Sequence, residues 1–416
     1  MAGRPVAADS PTTTPPGPRV ALYSHDTVGL GHTRRSIAVA AALIDAWPDA
    51  DAMLIAGNPE ATSLTLPPRT DVVTLPTLAK DADGTYRSRT LTASVDSVLQ
   101  MRAAVIEAAV TSFAPDLLIV DKVPLGVSGE LLPLLRRLRA EHHTRIVLGL
   151  REILDDPVTA VAEWTRSGAD ATIAEFYDQI WVYGDQAVYD PVVEYGLPAE
   201  VERRCVFTGY LAAGRCAGTG QLPDDSPVAE PYVLCTVGGG QDGGRLARTF
   251  AQTPLPPGHN GLVVCGPYMA PELQAAVHAD AAANPGMTVR DFVPDLDRLI
   301  AGAAAVVSMA GYNSVCEVLA TDRPALFVPR TRPRKEQLIR ALRLAELGAV
   351  ELLPPHRLTS AALADWTAAA AAAGGSGAAR ARIDLDGLGR LPGIAGRLLG
   401  HPHVLADRKG VGPRAA

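Results

Sequence analysis

Three glycine-bearing loops hold the residues of this chain whose types and spacing could support chemistry. The first loop is His25-Asp-Thr-Val-Gly-Leu-Gly-His-Thr-Arg-Arg35, in which Gly29 and Gly31 let a backbone approach a ligand closely. His32 stands at a predicted helix start, where the positive end of the helix dipole favours the neutral form that a general base needs. His32 is therefore a candidate base, and the alternative is that it only caps or packs the first helical turn.

The second loop is Thr236-Val-Gly-Gly-Gly-Gln-Asp-Gly-Gly244, which follows a predicted strand and precedes a helix. Consecutive glycines allow several backbone N–H groups to converge on one anion, so the loop is a candidate phosphate cradle. No Gly-Lys-Ser or Gly-Lys-Thr follows, and this excludes a Walker A loop for ATP hydrolysis. The alternative is a flexible surface turn.

The third loop lies in a longer stretch that runs from Ala305 to Arg340. The stretch begins with a predicted buried strand and a glycine turn. A helix that begins near Asn313, a second strand and the basic loop Arg330 to Lys335 then follow. This order places a helix N-terminus and several cations at the carboxyl ends of adjacent strands, where open α/β sheets bind phosphorylated ligands. We therefore expect a nucleotide diphosphate at this position, although the four basic side chains could also form only a solvated face.

Glu317, one turn into the helix of the third loop, permits two interpretations. Ser314-x-x-Glu317 fits a capping box, in which both side chains bind only the helix's own N–H groups. A carboxylate at this place can instead accept both hydroxyls of a ribose. The spacing alone does not separate a capping role from a ligand-binding role.

Short β-branched runs alternate with longer Ala-, Leu- and Arg-rich segments along the whole chain, which is typical of parallel sheets covered by helices. The predicted fold class is α/β, with two doubly wound Rossmann-like domains facing a central cleft. At 416 residues, the chain is long for one core. The predicted organisation is a disordered tail at 1–18, an N-terminal acceptor-binding domain at 19–212, a linker at 213–230, a C-terminal donor-binding domain at 231–380, and a helix and tail at 381–416 that could pack back on the N-terminal domain.

Composition excludes several classes of protein. The formal net charge of −7 argues against a nucleic-acid binder, and no apolar run approaches the roughly 18 residues of a membrane span. The first eighteen residues lack the apolar core of a secretory signal. Five widely spaced cysteines without a Cys-x-x-Cys pair are typical of reduced thiols, so we expect a cytoplasmic protein.

Several stretches resemble those of one known family, the GT-B glycosyltransferases related to the N-acetylglucosaminyltransferase that makes lipid II. Gly311-Tyr-Asn-Ser-Val-Cys-Glu-Val-Leu-Ala320, Pro324-Ala-Leu-Phe-Val-Pro329 and Glu336-Gln337 are similar to its donor-binding signature. The glycine loops at 238–243 and 29–32 resemble its diphosphate loop and its N-terminal Gly-His loop.

The chain is closer still to a bacterial branch known as predicted glycosyltransferases. The segments that carry this similarity are Val120-Asp-Lys-Val-Pro-Leu-Gly126, Leu148-Gly-Leu-Arg-Glu-Ile-Leu-Asp-Asp-Pro157, Trp181-Val-Tyr-Gly-Asp185 and Thr208-Gly-Tyr210. Together the similar stretches run from about Arg19 to Leu353.

The resemblance implies donor-binding roles for residues at matching positions. Glu317 would hold the ribose hydroxyls, the backbone at Phe292 and Val293 would contact the base, and Glu336 and Gln337 would bind the donor sugar. The family has two glutamines where this chain has Glu336-Gln337, so the resemblance leaves the identity of the donor sugar open. The full set of implied donor-binding residues is Gly239, Gly240, Gln241, Phe292, Val293, Gly311, Asn313, Ser314, Glu317, Arg330, Glu336 and Gln337.

The acceptor and the catalytic groups are expected from the N-terminal domain. The resemblance makes His32 the first choice for acceptor activation, and Asp121 and Glu152 are further candidates that could act as the base or orient His32. For each carboxylate the alternative is a structural salt bridge, such as Asp121 with Lys122 or Arg151. The expected acceptor contacts are Gly31, Arg151 and Tyr86, the last from a polar loop at 80–89.

The implied activity is direct transfer of a sugar from a nucleotide diphosphate sugar, UDP-linked by the resemblance, to an acceptor hydroxyl or amine. No cofactor and no metal is expected, because no Asp-x-Asp pair follows a strand as a metal–diphosphate site requires, and an inverting outcome is what the family implies. The nucleotide sugar is a co-substrate, and the acceptor is unidentified. Peripheral contact with a membrane is compatible with the sequence, and the protein could be a monomer or a homodimer.

Two other functions remain compatible with the same residues. A nucleotide-sugar hydrolase would share the Gly29, Gly31, His32 and Arg35 start and would use water as the acceptor. A non-catalytic nucleotide-sugar binding protein would not need His32 or Asp121. Rapid release of free sugar from the donor alone would identify the hydrolase.

Overall fold

The computed structural model describes residues 17–24, 31–80, 86–214, 227–293, 296–373 and 377–400. These residues form two parallel β-sheets, each covered by helices on both faces, and a small antiparallel hairpin. The predicted α/β class with two doubly wound sheets is confirmed. The predicted N-terminal tail, most of the predicted linker, the loop residues 25–30 with Gly29, and the C-terminal tail after residue 400 lie outside the described residues.

The first sheet contains seven strands in the order β3-β2-β1-β6-β7-β8-β9, and every neighbouring pair is parallel. The bounds of the elements are β1 Arg19–Ser24, α1 Gly31–Ala46, β2 Asp51–Ala56, β3 Thr70–Thr74, β4 Leu78–Lys80, β5 Tyr86–Ser88, α2 Val95–Phe113, β6 Leu117–Asp121, α3 Leu132–Glu141, β7 Arg145–Arg151, α4 Pro157–Arg166, α5 Ala169–Phe176, β8 Gln179–Tyr183, α6 Pro191–Tyr195, α7 Ala199–Glu202 and β9 Cys205–Phe207.

The second sheet contains six parallel strands in the order β12-β11-β10-β13-β14-β15. Its elements are β10 Tyr232–Thr236, α8 Gly244–Ala251, β11 Asn260–Val264, α9 Pro271–Ala282, β12 Met287–Arg290, α10 Leu296–Gly302, β13 Ala305–Ser308, α11 Tyr312–Leu319, β14 Ala325–Phe327, α12 Glu336–Glu346 and β15 Glu351–Leu352, followed by α13 Ser360–Ala373, α14 Gly377–Arg380 and α15 Gly387–Leu399.

The central strands are apolar because helices bury both of their faces. All five residues of β6, Leu-Leu-Ile-Val-Asp, and all five of β10 are buried. One face of the first sheet packs on α1 and α15 through side chains such as Leu43 and Ile394. The other face packs on α2, α3 and α5 through side chains such as Ile106, Leu135 and Ile173.

Both sheets reverse their strand order where a candidate loop leaves a strand. In the first sheet the reversal lies between β1 and β6, and α1 with His32 follows β1. In the second sheet it lies between β10 and β13, which are followed by the glycine loop and by α11. Open α/β sheets bind their ligands at such reversals, so the topology directs all three loops toward binding sites.

The chain returns to the first sheet at its C-terminal end. Residues 384–387 run beside residues 209–213, where Tyr210 N donates to Asp384 O at 2.8 Å and Ala213 N donates to Leu385 O at 2.9 Å. The helix α15 then packs against α1. The N-terminal half is therefore completed by the last described helix of the chain.

Candidate active site

A cavity of about 260 Å³ lies between the two halves of the molecule. The first sheet's half contributes residues from α1 and the end of β7, and the second half contributes the glycine loop, the loops after β11 and β12, the start of α11 and the start of α12. The lining residues are Gly31, His32, Arg34, Arg35, Arg151, Gly238, Gly239, Gln241, Val264, Gly266, Pro267, Tyr268, Phe292, Val293, Leu296, Gly311, Tyr312, Asn313, Ser314, Arg330, Glu336 and Gln337.

His32 lies in the first turn of α1 and contacts the Asp121 carboxylate at the end of β6 through its Nδ1 atom. The carboxylate can only accept a hydrogen bond when ionised, so we assign the ring proton to Nδ1 and the basic lone pair to Nε2. His32 lines the cavity and is partly exposed there. This arrangement can orient a neutral imidazole for proton abstraction.

Arg35, one turn further along α1, fixes Asp121 in turn. Its Nη2 atom donates to both carboxylate oxygens, at 2.7 and 2.6 Å, and its Nε atom donates to Oδ1 at 3.0 Å. Burial alone raises the pKa of Asp121, but the charges of Arg35 and His32 outweigh burial and hold that pKa well below its usual range. Asp121 is therefore a carboxylate at neutral pH and can hold the His32 ring in place.

Tyr312, the first residue of α11, connects this unit to the second sheet. The guanidinium carbons of Arg35 and Arg340 lie 5.6 and 5.7 Å from the centre of its ring, and the ring stacks on Tyr210 at 6.1 Å. The backbone N–H of Leu211 donates to the Tyr312 hydroxyl at 3.3 Å. Arg35, which holds the partner of the candidate base, therefore contacts α11, the helix expected to bind the donor.

The start of α11 is not closed by a capping box. Gly311 is the residue before the helix, no side chain caps the first turn, and Ser314 lines the cavity. The Asn313 amide instead donates across the cleft to the Gly31 carbonyl at 2.8 Å. The first turn of α11 thus lines the cavity, where the positive end of the helix dipole favours an anion.

Glu317 lies behind this helix start and does not line the cavity. Its side chain is 2% exposed, and its Oε1 atom pairs with Arg34 Nη2 at 3.0 Å. Arg34 itself lines the cavity and is partly exposed. Glu317 therefore takes part in an ion pair between the two halves, for which the sequence contains no local signal.

The remaining expected donor residues surround the cavity. Arg330 pairs with Glu336 and with Asp242, the latter at 2.7 Å, and its backbone N–H donates to Gln337 Oε1 at 3.0 Å. Phe292 and Val293 form an apolar wall, and 47% of the Phe292 surface is exposed. Gly240 supports the loop from behind and is not among the lining residues.

Two expected site residues lie elsewhere. Glu152 is fully buried and pairs with Arg340 through two hydrogen bonds of 2.6 and 3.1 Å, while the Tyr210 hydroxyl donates to it at 3.0 Å. Tyr86 lies in the small hairpin and packs beside Leu78, Val98 and Val127. The structure thus places Glu152 in an ion pair between the two halves and Tyr86 away from the cavity.

The residues of the site that the sequence does not single out include Arg34, Tyr268 and Tyr312. Arg35 was noted only as part of a motif, although its spacing of three from His32 places both on one helix face. Tyr268 receives a hydrogen bond from Asn58 at 2.8 Å and donates to Glu60 at 3.1 Å, so it bridges the two halves. No local sequence signal indicates contacts that depend on the packing of two domains.

Comparison with known families connects the C-terminal half to one of them. Residues 257–380 match the glycosyltransferase family 28 C-terminal domain. The UDP-N-acetylglucosamine--N-acetylmuramyl-(pentapeptide) pyrophosphoryl-undecaprenol N-acetylglucosamine transferase of Cronobacter sakazakii is 31% identical over 137 residues, which is 32% of this chain and 38% of that protein. The protein of the same name from Histophilus somni is 33% identical over 76 residues, 18% of this chain and 21% of that protein. The chain thus matches well under half the length of these relatives.

Solved structures match nearly the whole chain at low sequence identity. The spinosyn forosaminyltransferase SpnP superposes with a TM-score of 0.59 at 16% identity, covering 92% of this chain and 99% of that one. The calicheamicin glycosyltransferase CalG4 gives 0.54 at 18%, covering 95% and 100%, and MurG of Acinetobacter baumannii gives 0.52 at 17%, covering 91% and 99%.

The protein therefore has the GT-B fold, the fold that these glycosyltransferases share. Within that class it is related, through its C-terminal half, to the N-acetylglucosaminyltransferases that form lipid II. No helix among the described residues is both long and apolar enough to cross a bilayer.

Proposed function

We propose that this protein is a glycosyltransferase that moves a sugar from a nucleotide diphosphate sugar to an acceptor hydroxyl or amine. The observation that carries the proposal is the cavity between the halves, which holds the His32–Asp121 pair on one side and an uncapped helix start with a glycine loop on the other. One side suits proton abstraction and the other suits a diphosphate.

In the proposed reaction, His32 Nε2 takes the proton of the acceptor as the acceptor's oxygen or nitrogen attacks the anomeric carbon. The bond from that carbon to the diphosphate breaks, and the electron pair leaves with the diphosphate. The start of α11, together with Arg34 and Arg330 at the cavity wall, would stabilise the charge on the leaving group. This direct displacement inverts the anomeric centre and uses no metal.

The donor base is proposed to rest against Phe292 and Val293, beside the loop after β11. Relatives of the C-terminal half carry UDP-N-acetylglucosamine in their names, whereas a solved GT-B structure of similar fold, VinC, contains dTDP. UDP is the proposed nucleotide, because the relatives with sequence similarity use it. A comparison of UDP with dTDP tests that choice.

Calorimetric titration of UDP and dTDP tests the donor side, with wild type, His32→Ala, Glu317→Gln and the surface control Glu346→Ala. We expect UDP to bind wild type, the control and His32→Ala alike, and to bind Glu317→Gln about tenfold more weakly because one ribose contact is lost. Glu317→Gln is preferred to alanine because the amide oxygen still accepts from Arg34. Equal UDP affinity in all four proteins would contradict the ribose role of Glu317.

Product analysis with UDP-sugars and an acceptor pool tests the catalytic side. His32→Ala should lose about 10² to 10⁴-fold in turnover, as expected when a general base is removed. Free sugar formed at the full rate without any acceptor would indicate a hydrolase instead of a transferase. Retention of turnover in His32→Ala would show that another group takes the proton.

A further inference from the structure

A second cavity, of about 190 Å³, lies on the N-terminal half. Its walls are the loop after β6, with Val123 and Pro124, and one face of α4, with Ala160 and Trp164. The Trp164 ring is held in place because its Nε1 atom donates to Asp170 Oδ1 at 2.6 Å. This apolar chamber, the Trp164 chamber, has an ordered wall suited to an alkyl or ring group.

Lys122 stands at the boundary of the Trp164 chamber and directly follows Asp121, the partner of the candidate base. Its backbone is anchored, because its N–H donates to the Gly149 carbonyl at 2.8 Å, and it holds a left-handed φ of 70°. A lysine adopts this conformation rarely, so the surrounding structure holds the backbone of Lys122 in place.

Lys122 and Arg151 are two cations that no carboxylate contacts directly in the described part of the chain. Among the described residues, neither side chain makes a hydrogen bond or an ion pair, and the Arg151 Nε atom is buried without an acceptor. Burial, followed by the charge of Arg151, lowers the pKa of Lys122 to about 7, and burial also lowers the pKa of Arg151 to about 10. Like charges that are partly removed from water are costly unless an anion compensates them.

The carboxylates nearby are already engaged by other arginines. Asp155 and Glu163 bind Arg334, at 3.2 Å and at 2.7 and 3.0 Å, and Asp121 binds Arg35. Glu152 binds Arg340. Glu163 and Glu336 therefore act on Lys122 and Arg151 only through their charge, and no described carboxylate forms an ion pair with either cation, so the position between them suits the anionic group of a ligand.

We propose that the acceptor is an amphipathic anion whose carboxylate or phosphate binds between Lys122 and Arg151 and whose apolar part fills the Trp164 chamber. This inference rests on the proposed transferase function, since it names the second substrate of that site. Arg151 lines the larger cavity and Lys122 lines the chamber, so an anion held by both lies next to His32 and Asp121. The acceptor's hydroxyl or amine is thereby presented to the base.

The donor diphosphate is the competing partner for these cations. The chamber argues for the acceptor, because Arg334 is the one lining residue that comes from the second half of the molecule. The diphosphate has its own expected contacts at the glycine loop and at α11. A donor role would make anion binding compete with UDP.

Calorimetric titration of the full chain with n-octyl phosphate, n-octanoate, n-octanol and inorganic phosphate tests the proposal, with and without saturating UDP. We expect at least one octyl anion to bind in both conditions, and octanol and inorganic phosphate to bind about tenfold more weakly or worse. The stronger octyl anion identifies the charged group as phosphate or carboxylate. Equal binding of octanol, or displacement of the anions by UDP, would overturn the proposal.

Variants locate the site and separate this inference from the proposed function. Lys122→Met and Arg151→Met should each weaken the octyl anion about tenfold or more, while Lys122→Arg and the exposed control Lys335→Met bind it as wild type does. Ala160→Phe should block the chamber. Anion binding unchanged in Lys122→Met refutes the inference, whereas a wild-type protein that fails to bind any nucleotide refutes the proposed donor site independently.

Discussion

His32, Asp121 and Arg35 form a connected unit in which each side chain limits the freedom of the next. Asp121 is buried, yet Arg35 keeps it ionised by donating three hydrogen bonds to it. The ionised carboxylate in turn selects the imidazole tautomer whose Nε2 atom is basic. The basicity expected of His32 therefore depends on an arginine whose hydrogen bonds go to Asp121.

Asp121→Asn tests this dependence. An amide can donate to Nδ1 and would then place the ring proton on Nε2, so we expect turnover to fall by about 10² to 10⁴-fold with little change in UDP affinity. The measurements are kcat and UDP affinity of the folded variant. The control is Asp280→Asn, which removes a surface partner of Arg248. Undiminished turnover in Asp121→Asn would show that Asp121 has only a structural role.

The same variant has a pH signature in stability. Because the folded-state pKa of Asp121 lies below its unfolded value, its ionisation stabilises the native protein above a pH of about 4, and this contribution is lost as pH falls further. Urea unfolding at pH 3 to 7 should therefore show a gap between wild type and Asp121→Asn that narrows toward pH 3. A gap that is constant over this range would contradict the assigned pKa shift.

At the scale of elements, the loops after β10 and β11 interlock through their backbones. Gly238, Gly240 and Gly266 have positive φ angles of 62°, 93° and 83°, and the Tyr268 N–H donates to the Gly239 carbonyl at 2.9 Å. A methyl group on Gly266 would collide with the Gly238 carbonyl and the Gly239 backbone. The shape of the candidate phosphate cradle is thus set partly by a glycine from the neighbouring loop.

Gly266→Ala should therefore displace the cradle. We expect UDP affinity to fall about tenfold or more, in addition to a loss of roughly 1 to 2 kcal/mol for the left-handed alanine. Gly258→Ala is a matched control, since Gly258 has a φ of 74° and no atom near its missing side chain. Thermal unfolding and UDP titration separate the two effects, and equal UDP affinity in both variants would argue against an interlocked cradle.

Most strands were predictable from the sequence, because a parallel strand buried on both faces needs a short apolar run between turn residues. The strands β6 and β10 are examples. The short strand β15 and the β4–β5 hairpin were not predicted, since two or three residues carry too little pattern. The spacing of glycines and of His32 also indicated which residues could take part in binding or catalysis. The partners of Glu317 and Glu152 were not predictable, because Arg34 and Arg340 come from the opposite half of the molecule.

At the scale of the whole molecule, polar contacts hold the two halves together around the cavity. The Arg340–Glu152 pair is fully buried, and Arg334 of the second half reaches Asp155 and Glu163 of the first. Asn58 and Tyr268 form a contact at the other side of the cleft. Polar contacts of this kind can separate and reform, as substrate entry and product release require.

Glu152→Gln tests whether this carboxylate serves the interface or the reaction. Removing one charge of a buried pair leaves Arg340 uncompensated, so we expect a loss of about 3 to 5 kcal/mol in the free energy of unfolding. The double variant Glu152→Gln/Arg340→Met should recover part of that loss. Urea denaturation measures both, and a Glu152→Gln protein of unchanged stability without turnover would instead indicate a direct catalytic role.

The return of α15 to α1 has a consequence for building chimaeric enzymes. A single crossover before β10 would bring in α15 of the other parent together with its second sheet, and Leu43 of α1 would lose part of its apolar cover. Two crossovers, one before β10 and one between α14 and residue 384, leave the paired segments 209–213 and 384–387 in the same parent. The second sheet and its helices are therefore best exchanged as a segment inserted between these two points.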